Sequence, residues 1–411
     1  MLYYIKIGTE SAYHFFVELQ LTKTKTITIG GGPRRRKPAD VVGVDLFSGD
    51  KRGCPAVRLV EKKGVLRIAA VGFVPAPDGT LPESWQDASK NCTWSLPPQF
   101  QAPRAAIAVT SPDMFFAQTT LDAFRSDFSA GAHQTTDEGA TKPKRIGIRR
   151  DPKPAPQPAT PAAQLPEIIP GTPVSNGGTR FVMKPMPAAE GFVMEAGIPE
   201  YQILWLSRLL PEGRRPTAAS VQVRPAALAA SILRQPAFTA NSGSALALFV
   251  SDDEVNSAGY KDGDIVLWRK CPNAPGWNAI KAGLQKGLGL EDDMITGVLE
   301  DTLIDPRPVL DPLIAPIIDE LGVSRDYLVG KLGVEPKNAL VLGLPAGAKL
   351  WNEITEERLH MPLAVVNPFD GLERSDKAFV GDGADLSGAG SGVFLGAVGA
   401  ALALIGEEAA Q

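Results

Sequence analysis

The sequence predicts an α/β protein in which one strand-rich opening is used twice. Short β-branched runs with Gly-containing turns begin at Val41, and a second such series begins at Ser244 with "SALALFVSDDEV" and "DIVLWRKCP". Helical periodicity follows the second series, and a Pro-saturated stretch interrupts the first.

Residues 1–40 read as an N-terminal extension, with one alternating segment, "KTKTITI", that suits a strand. Over 41–126, the first subdomain, "VVGVDLF", "PAVRLVEKKG" and "VLRIAAVGFVPA" suit three consecutive antiparallel strands, with Lys62-Lys63-Gly64 turning the second into the third. "AAIAVT" (Ala105–Thr110) adds another strand. Residues 127–178, including "RRDPKPAPQPATPAAQLPEIIPGTPVSNGG", hold too few large apolar side chains to offset their ordering entropy, so an extended or disordered insertion is predicted. Over 179–240 the first domain resumes with an inserted subdomain. An amphipathic helix in "PEYQILWLSRLLPE" places Ile203, Leu206, Leu209 and Leu210 on one face, and "ASVQVRPAALAASIL" reads as strand then helix. The second domain, 241–406, carries helical segments near Trp277–Leu288, Asp292–Glu300 and Leu310–Leu332. After them come a strand in "NALVLGL", a helix in "AKLWNEITEERL", a strand in "LAVVNPF" and a closing Gly/Ala helix.

With 411 residues, 44% hydrophobic and 21% charged, the chain has ample material for a globular core. A net charge of −4 gives no reason to expect nucleic acid as a partner, and the basic runs "PRRRK" and "KPKRIGIRR" are flanked by Gly or Pro as solvated linkers are. Three widely spaced cysteines make neither a disulfide framework nor a zinc pattern, which fits a reducing cytosol. No segment reaches the roughly 18 uninterrupted apolar residues of a membrane span. Cytoplasmic localisation follows as the expectation.

No phosphate-loop or nucleophile-elbow pattern occurs, and three separated histidines give little support to a His-based metal site or triad. "GAGSGVFLG" (388–396) suits a closely packed helix start rather than a dinucleotide loop. "VVGVDLFSGD" (41–50) admits two readings, a phosphate-gripping hairpin or an ordinary hairpin with an acidic turn. Acidic runs are usually solvated turns. Asp252 and Asp253 stand out because they follow the strand opening the second half, as Asp45 follows the strand opening the first.

On these residues the chain resembles the actin-like ATPases, and within them the PilM/FtsA branch, type IV pilus assembly proteins of the PilM type in particular. The resemblance runs from Val41 to Gly406 without the Pro-rich stretch. It is densest in "DELGVSRDYLVGKLGVEPKNALVLGLPAGAKLWNEITEERLHMPLAVVNPFDGL" and in "GSGVFLGAVGAALALIG". It implies an actin-like, ribonuclease H-like duplicated fold around a nucleotide cleft, with ATP and Mg²⁺ as ligands. Asp45, Ser48 and Gly49 would form the first phosphate hairpin and Asp252 and Asp253 the second. Gly343, Ala346 and Gly347 would form the adenosine turn, and Asp45 and Asp252 would hold the metal. The partners it implies are the cytoplasmic tail of a PilN-like inner-membrane protein and a second copy of the chain, with the protein at the inner membrane only through its partners.

The chain departs from that pattern. Its second hairpin lacks the Asp-x-Gly glycine, "NAPGW" replaces a Gly-Gly pair, and Leu344 and Pro345 interrupt the adenosine turn. Side chains there obstruct close backbone approach to a ligand, and proline removes a donor. At most a slow ATPase is expected, on a degenerate nucleotide site, and a scaffold role leads. An active actin-fold ATPase or phosphotransferase is the alternative.

Overall fold

In the computed structural model, β1 (Asp40–Leu46) is the pivot of the first sheet. It pairs antiparallel with β2 (Cys54–Lys62) and parallel with β4 (Arg104–Val109). The structure describes residues 38–46, 51–78, 80–88, 94–110, 114–120, 174–176, 179–187, 192–210, 216–232, 235, 238, 244–262, 264–300, 304–344, 346–384, 386 and 389–410. The N-terminal extension up to 37, and most of the Pro-rich stretch, lie outside them.

β2 turns into β3 (Val65–Val74) through Lys63 and Gly64, at φ 56° and 78°. Two left-handed residues in a row are what a tight two-residue hairpin needs, and the turn sits where the sequence predicts it. β9 (Thr217–Val223) lies parallel to β4, and β15 (Glu373–Val380) parallel to β3, which completes the order β15-β3-β2-β1-β4-β9.

The second sheet repeats the scheme. β10 (Ala245–Val250), β11 (Val255–Lys261) and β12 (Asp264–Lys270) are successively antiparallel, and β13 (Ala339–Leu342) and β14 (Leu363–Val365) add in parallel, giving β12-β11-β10-β13-β14. The Gly-containing "NSAGY" forms the body of β11. A third, antiparallel sheet, β5 (Phe115–Thr120), β8 (Phe192–Pro199), β7 (Thr179–Pro187) and β6 (Val174–Asn176), is inserted between β4 and β9. β6 falls at the end of the stretch predicted as linker. Phe116 packs edge-on against Trp268 of β12, centroids 4.7 Å apart, and so ties the inserted sheet to the second one.

Eight helices occur among the described residues: α1 (Trp85–Ala88), α2 (Glu200–Leu209), α3 (Arg224–Ile232), α4 (Trp277–Leu288), α5 (Met294–Glu300), α6 (Arg307–Leu332), α7 (Ala348–Leu359) and α8 (Leu395–Ala410). Strand alternation distributes them. Val42, Val44 and Leu46 of β1 pack with Trp205, Leu206 and Leu209 of α2. Val41, on the opposite face, shares a core with Ala397, Val398 and Ala401 of α8. α4 to α7 cover the outer face of the second sheet. The inner face meets α3 through Ala229 and Ile232 against Phe249 and Tyr260.

β15 and α8 correct one expectation. Both were assigned by sequence to the second domain, 241–406, yet both complete the first sheet. The reason is steric. α8 is rich in Gly and Ala, so its backbone approaches β1 and α3 closely. A Cβ on Gly43 would lie 1.9 Å from the Ala397 carbonyl oxygen, and one on Gly399 would lie 1.8 Å from that of Ala227. The sequence shows a close-packing helix without showing its destination.

Neither neighbour at Gly399 is a flexible side chain, so Gly399→Val should cost at least the upper end of overpacking penalties, about 3 kcal/mol. Gly64→Ala stands in open space and meets only its left-handed backbone, about 1 kcal/mol. Urea denaturation of the two variants checks this ranking, and a smaller loss at Gly399 would contradict the packing described.

Candidate functional site

The carboxyl ends of β4, β9, β10 and β13 converge, as ligand-binding ends of parallel strands do in α/β folds. They open on a cleft of about 1160 Å³ whose lining draws Lys51, Arg52 and Arg224 from the first half and Asp252, Lys270 and Lys281 from the second. Arg52 is fixed over the Phe73 ring, 4.1 Å from its centroid, and donates to the Gly383 carbonyl at 2.9 Å.

The second hairpin, Ser251–Glu254, is closed by Ser251, whose backbone N–H donates to the Glu254 carbonyl at 2.9 Å and whose hydroxyl donates to the same oxygen at 2.8 Å. Helix α4 abuts it. The N–H groups of Trp277 and Asn278 donate to the carbonyls of Ser251 and Asp252 at 2.8 and 2.9 Å. A Cβ on Gly276 would come within 2.5 Å of the Asp252 carbonyl oxygen. The remaining glycine of "NAPGW" thus serves contact between helix and hairpin, and those two N–H groups of α4 are committed to the protein. Lys270 pairs with Glu254 at 2.6 Å, and this contact holds the Glu254 carboxyl below its usual value.

Asp45 is fully buried at the end of β1, on the face covered by α8. Arg224, the first residue of α3, donates from Nε to Asp45 Oδ2 at 2.8 Å. Asp45 Oδ1 has no hydrogen-bond partner among the described residues. Burial pushes the Asp45 carboxyl up from its ordinary value, and the pull of Arg224 in the other direction is the smaller effect. Arg224 is held more firmly protonated, mainly by Asp45 and further by Asp252. The guanidinium is thus paired with a carboxylate of the first half and shares the cleft with Asp252 of the second. Gly396 closes the other side of Asp45, since a Cβ there would lie 2.1 Å from Oδ2 and 3.1 Å from Oδ1.

The turn after β13 is divided between two roles. Gly343, at φ 79°, lines the cleft and backs onto the hairpin, where a Cβ would meet the Val250 carbonyl oxygen at 2.2 Å. Gly347, at φ 80°, begins α7 and donates its N–H to Glu300 Oε1 at 2.8 Å. Leu344 and Ala346 are buried in the second core.

Of the residues singled out from sequence, Asp252, Asp253 and Gly343 line the cleft and Asp45 lies beneath it against Arg224. Ala346 and Gly347 turn away, and Ser48 and Gly49 lie outside the described residues. Sequence reasoning missed Arg224, Lys270 and Lys281. The available signal was that Arg224 occupies a junction from strand to helix, where the end of a parallel strand faces the cleft. Of the two carboxylates assigned to a metal, Asp45 is paired with Arg224, and Asp252 lines the same cleft as that arginine. Among the described residues no group of three or more His, Cys, Asp or Glu side chains is placed to hold a metal ion.

No protein-family model matches the chain, and no curated protein matches it in sequence. In solved structures it is similar to a chain of a PilM-PilN type IV pilus biogenesis complex, with TM-score 0.52 and 15% identity over 90% of this chain and 98% of that one. It is also similar to a ROK hexokinase from Thermus thermophilus, with TM-score 0.40 and 13% identity over 89% and 98% of the two chains. A further similar structure is a Bacteroides thetaiotaomicron protein with an actin-like ATPase fold, with TM-score 0.35 and 11% identity over 80% and 91%. The duplicated sheets and the cleft at their carboxyl ends define the actin-like fold. Within it, the chain from the PilM-PilN complex shares the arrangement across nearly its whole length.

Removing Arg224 leaves the Asp45 charge buried and uncompensated. Arg224→Met should destabilise the protein by about 3–5 kcal/mol near neutral pH. A carboxyl whose folded-state pKa is raised favours folding below its unfolded value and loses that contribution as pH rises through the folded one. The deficit should therefore shrink towards about pH 4, where an unfolded aspartate takes up its proton. The double variant Asp45→Asn, Arg224→Met should lose this pH dependence. Denaturation across pH 4–8 reads both effects, and a deficit that does not vary with pH would count against a buried charge.

Proposed function

We propose that this chain is a PilM-like cytoplasmic scaffold of a type IV pilus or secretin-linked assembly machine, holding the cytoplasmic tail of a PilN-like inner-membrane protein. The observation that carries this reading is the Asp45–Arg224 pair, which commits the carboxylate a metal-dependent hydrolase would need to an internal cation. Likeness to a chain of the PilM-PilN complex supports the class of partner. Among the described residues no helix is long and apolar enough to cross a membrane, so in this reading the partner provides attachment to the inner membrane. A main-chain strand with a few apolar pockets suffices to hold a short tail.

The nucleotide has a structural role in this reading. The cleft is large enough for one, and Lys51, Arg52, Arg224, Lys270 and Lys281 are cations that line it for a phosphate tail. In this reading its role there is to bind.

Two measurements test the reading. Phosphate release from ATP with Mg²⁺ should not exceed the background rate, and steady release abolished by Asp45→Asn would favour the active ATPase instead. The tagged chain cross-linked in its native cells should recover a single-span inner-membrane protein with a short cytoplasmic tail. Recovery of the chain alone from membrane-containing lysates would sink the scaffold reading.

A further inference from the structure

We propose that Arg224 takes the place of a divalent cation in this cleft, so that it binds the phosphate tail of a nucleotide, or a free polyphosphate, without metal. The proposal rests on the reading of the cleft as a nucleotide site and adds the ionic form in which the ligand enters.

Geometry around Asp45 carries it. Mg²⁺ demands near-octahedral oxygen ligands at about 2.0–2.1 Å and keeps several of its waters. Asp45 offers no such opening, because Arg224 Nε sits 2.8 Å from Oδ2 and Gly396 stands against both carboxylate oxygens. A metal there would also meet a fixed positive charge. The guanidinium already performs the ion's electrostatic task, neutralising Asp45 of the first half in a cleft that Asp252 of the second also lines.

Arg224 is also equipped to receive a phosphate. Its side chain is 25% exposed and lines the cleft. Among the described residues only its Nε–H is engaged, which leaves the terminal N–H groups of a planar fork suited to phosphate oxygens. Lys270 and Lys281 flank the cleft in ion pairs with Glu254 and Asp292, at 2.6 and 2.8 Å. Exposed pairs of this kind contribute little, so both lysines can exchange a carboxylate for a phosphate at small cost. Asp252 and Asp253 face the same space, and Arg224 offsets the charge of the first.

The test is calorimetric titration of the full chain with ATP and, separately, with tripolyphosphate, each in excess EDTA and in excess Mg²⁺. Saturable binding in EDTA is expected, unchanged or weakened by Mg²⁺, which withdraws charge from the phosphates. Arg224→Met should weaken it roughly tenfold or more, as expected for losing a charge-assisted hydrogen bond. Because that variant also loses stability, Lys281→Gln on the cleft wall provides a second arm, with a smaller loss and a shallower salt dependence. Binding of tripolyphosphate as tight as that of ATP supports recognition of the tail alone, and binding of ATP only supports a nucleotide. Binding that requires Mg²⁺ overturns the inference and leaves the nucleotide reading standing. Absence of binding in all four arms overturns both, and the partner-tail reading is then judged by cross-linking alone.

Discussion

Contact between the backbone of α8 and those of β1 and α3 is the constraint on which the rest of the molecule depends. Gly43 and Gly399 admit the helix to distances at which any Cβ would overlap a carbonyl oxygen. That approach sets Gly396 against Asp45 and covers the face of the first sheet that β4 lines with Ala106 and Ala108. α3, pressed from the other side, then carries Arg224 to the cleft at its first residue and Ile232 to the inner face of the second sheet at its last. Packing of small residues thus determines where a charged side chain can stand.

The electrostatic arrangement follows from that placement. A carboxylate with no access to water is costly unless paired, and Asp45 is paired through one oxygen while the other has no partner among the described residues. Such a group stabilises the fold little in itself, and its significance is that it fixes a positive charge in the cleft. A cleft arranged this way presents to an anion a donor array that is already assembled. Preorganisation of this kind lowers the ordering cost of binding.

Much of this architecture was legible in the sequence wherever local chemistry decides it. Lys63-Gly64 announces its hairpin, and the periodicity of 277–288 and 348–359 gives helices with those boundaries. The alternation of apolar runs led to two sheets of one design. β15 escaped notice because "ERSDKAFV" is an edge strand exposed along much of its length, without the apolar face that marks a strand. The partner of Asp45 escaped because it lies 179 positions away, and nothing local to "VRPAAL" shows which carboxylate its arginine will meet. Glycines in "GLPAGA" were read as one ligand-facing turn. Gly343 serves a backbone contact with β10 beside the cleft, while Gly347 serves a helix start away from it, and only the tertiary fold separates those roles.

Completion of the first sheet by β15 and α8 also bears on how the chain is made. Arg52 and its acceptor Gly383 are 331 positions apart, and Arg67 and Glu373 close the same seam as an ion pair at 2.7 Å. The early strands emerge during synthesis long before the segment that covers them, so the apolar face of β1 must wait for the last helix. Contacts so distant in sequence slow folding, and exposed apolar strands invite misassembly in the interval. The opening strands of the first sheet are therefore made well before the segments that cover them.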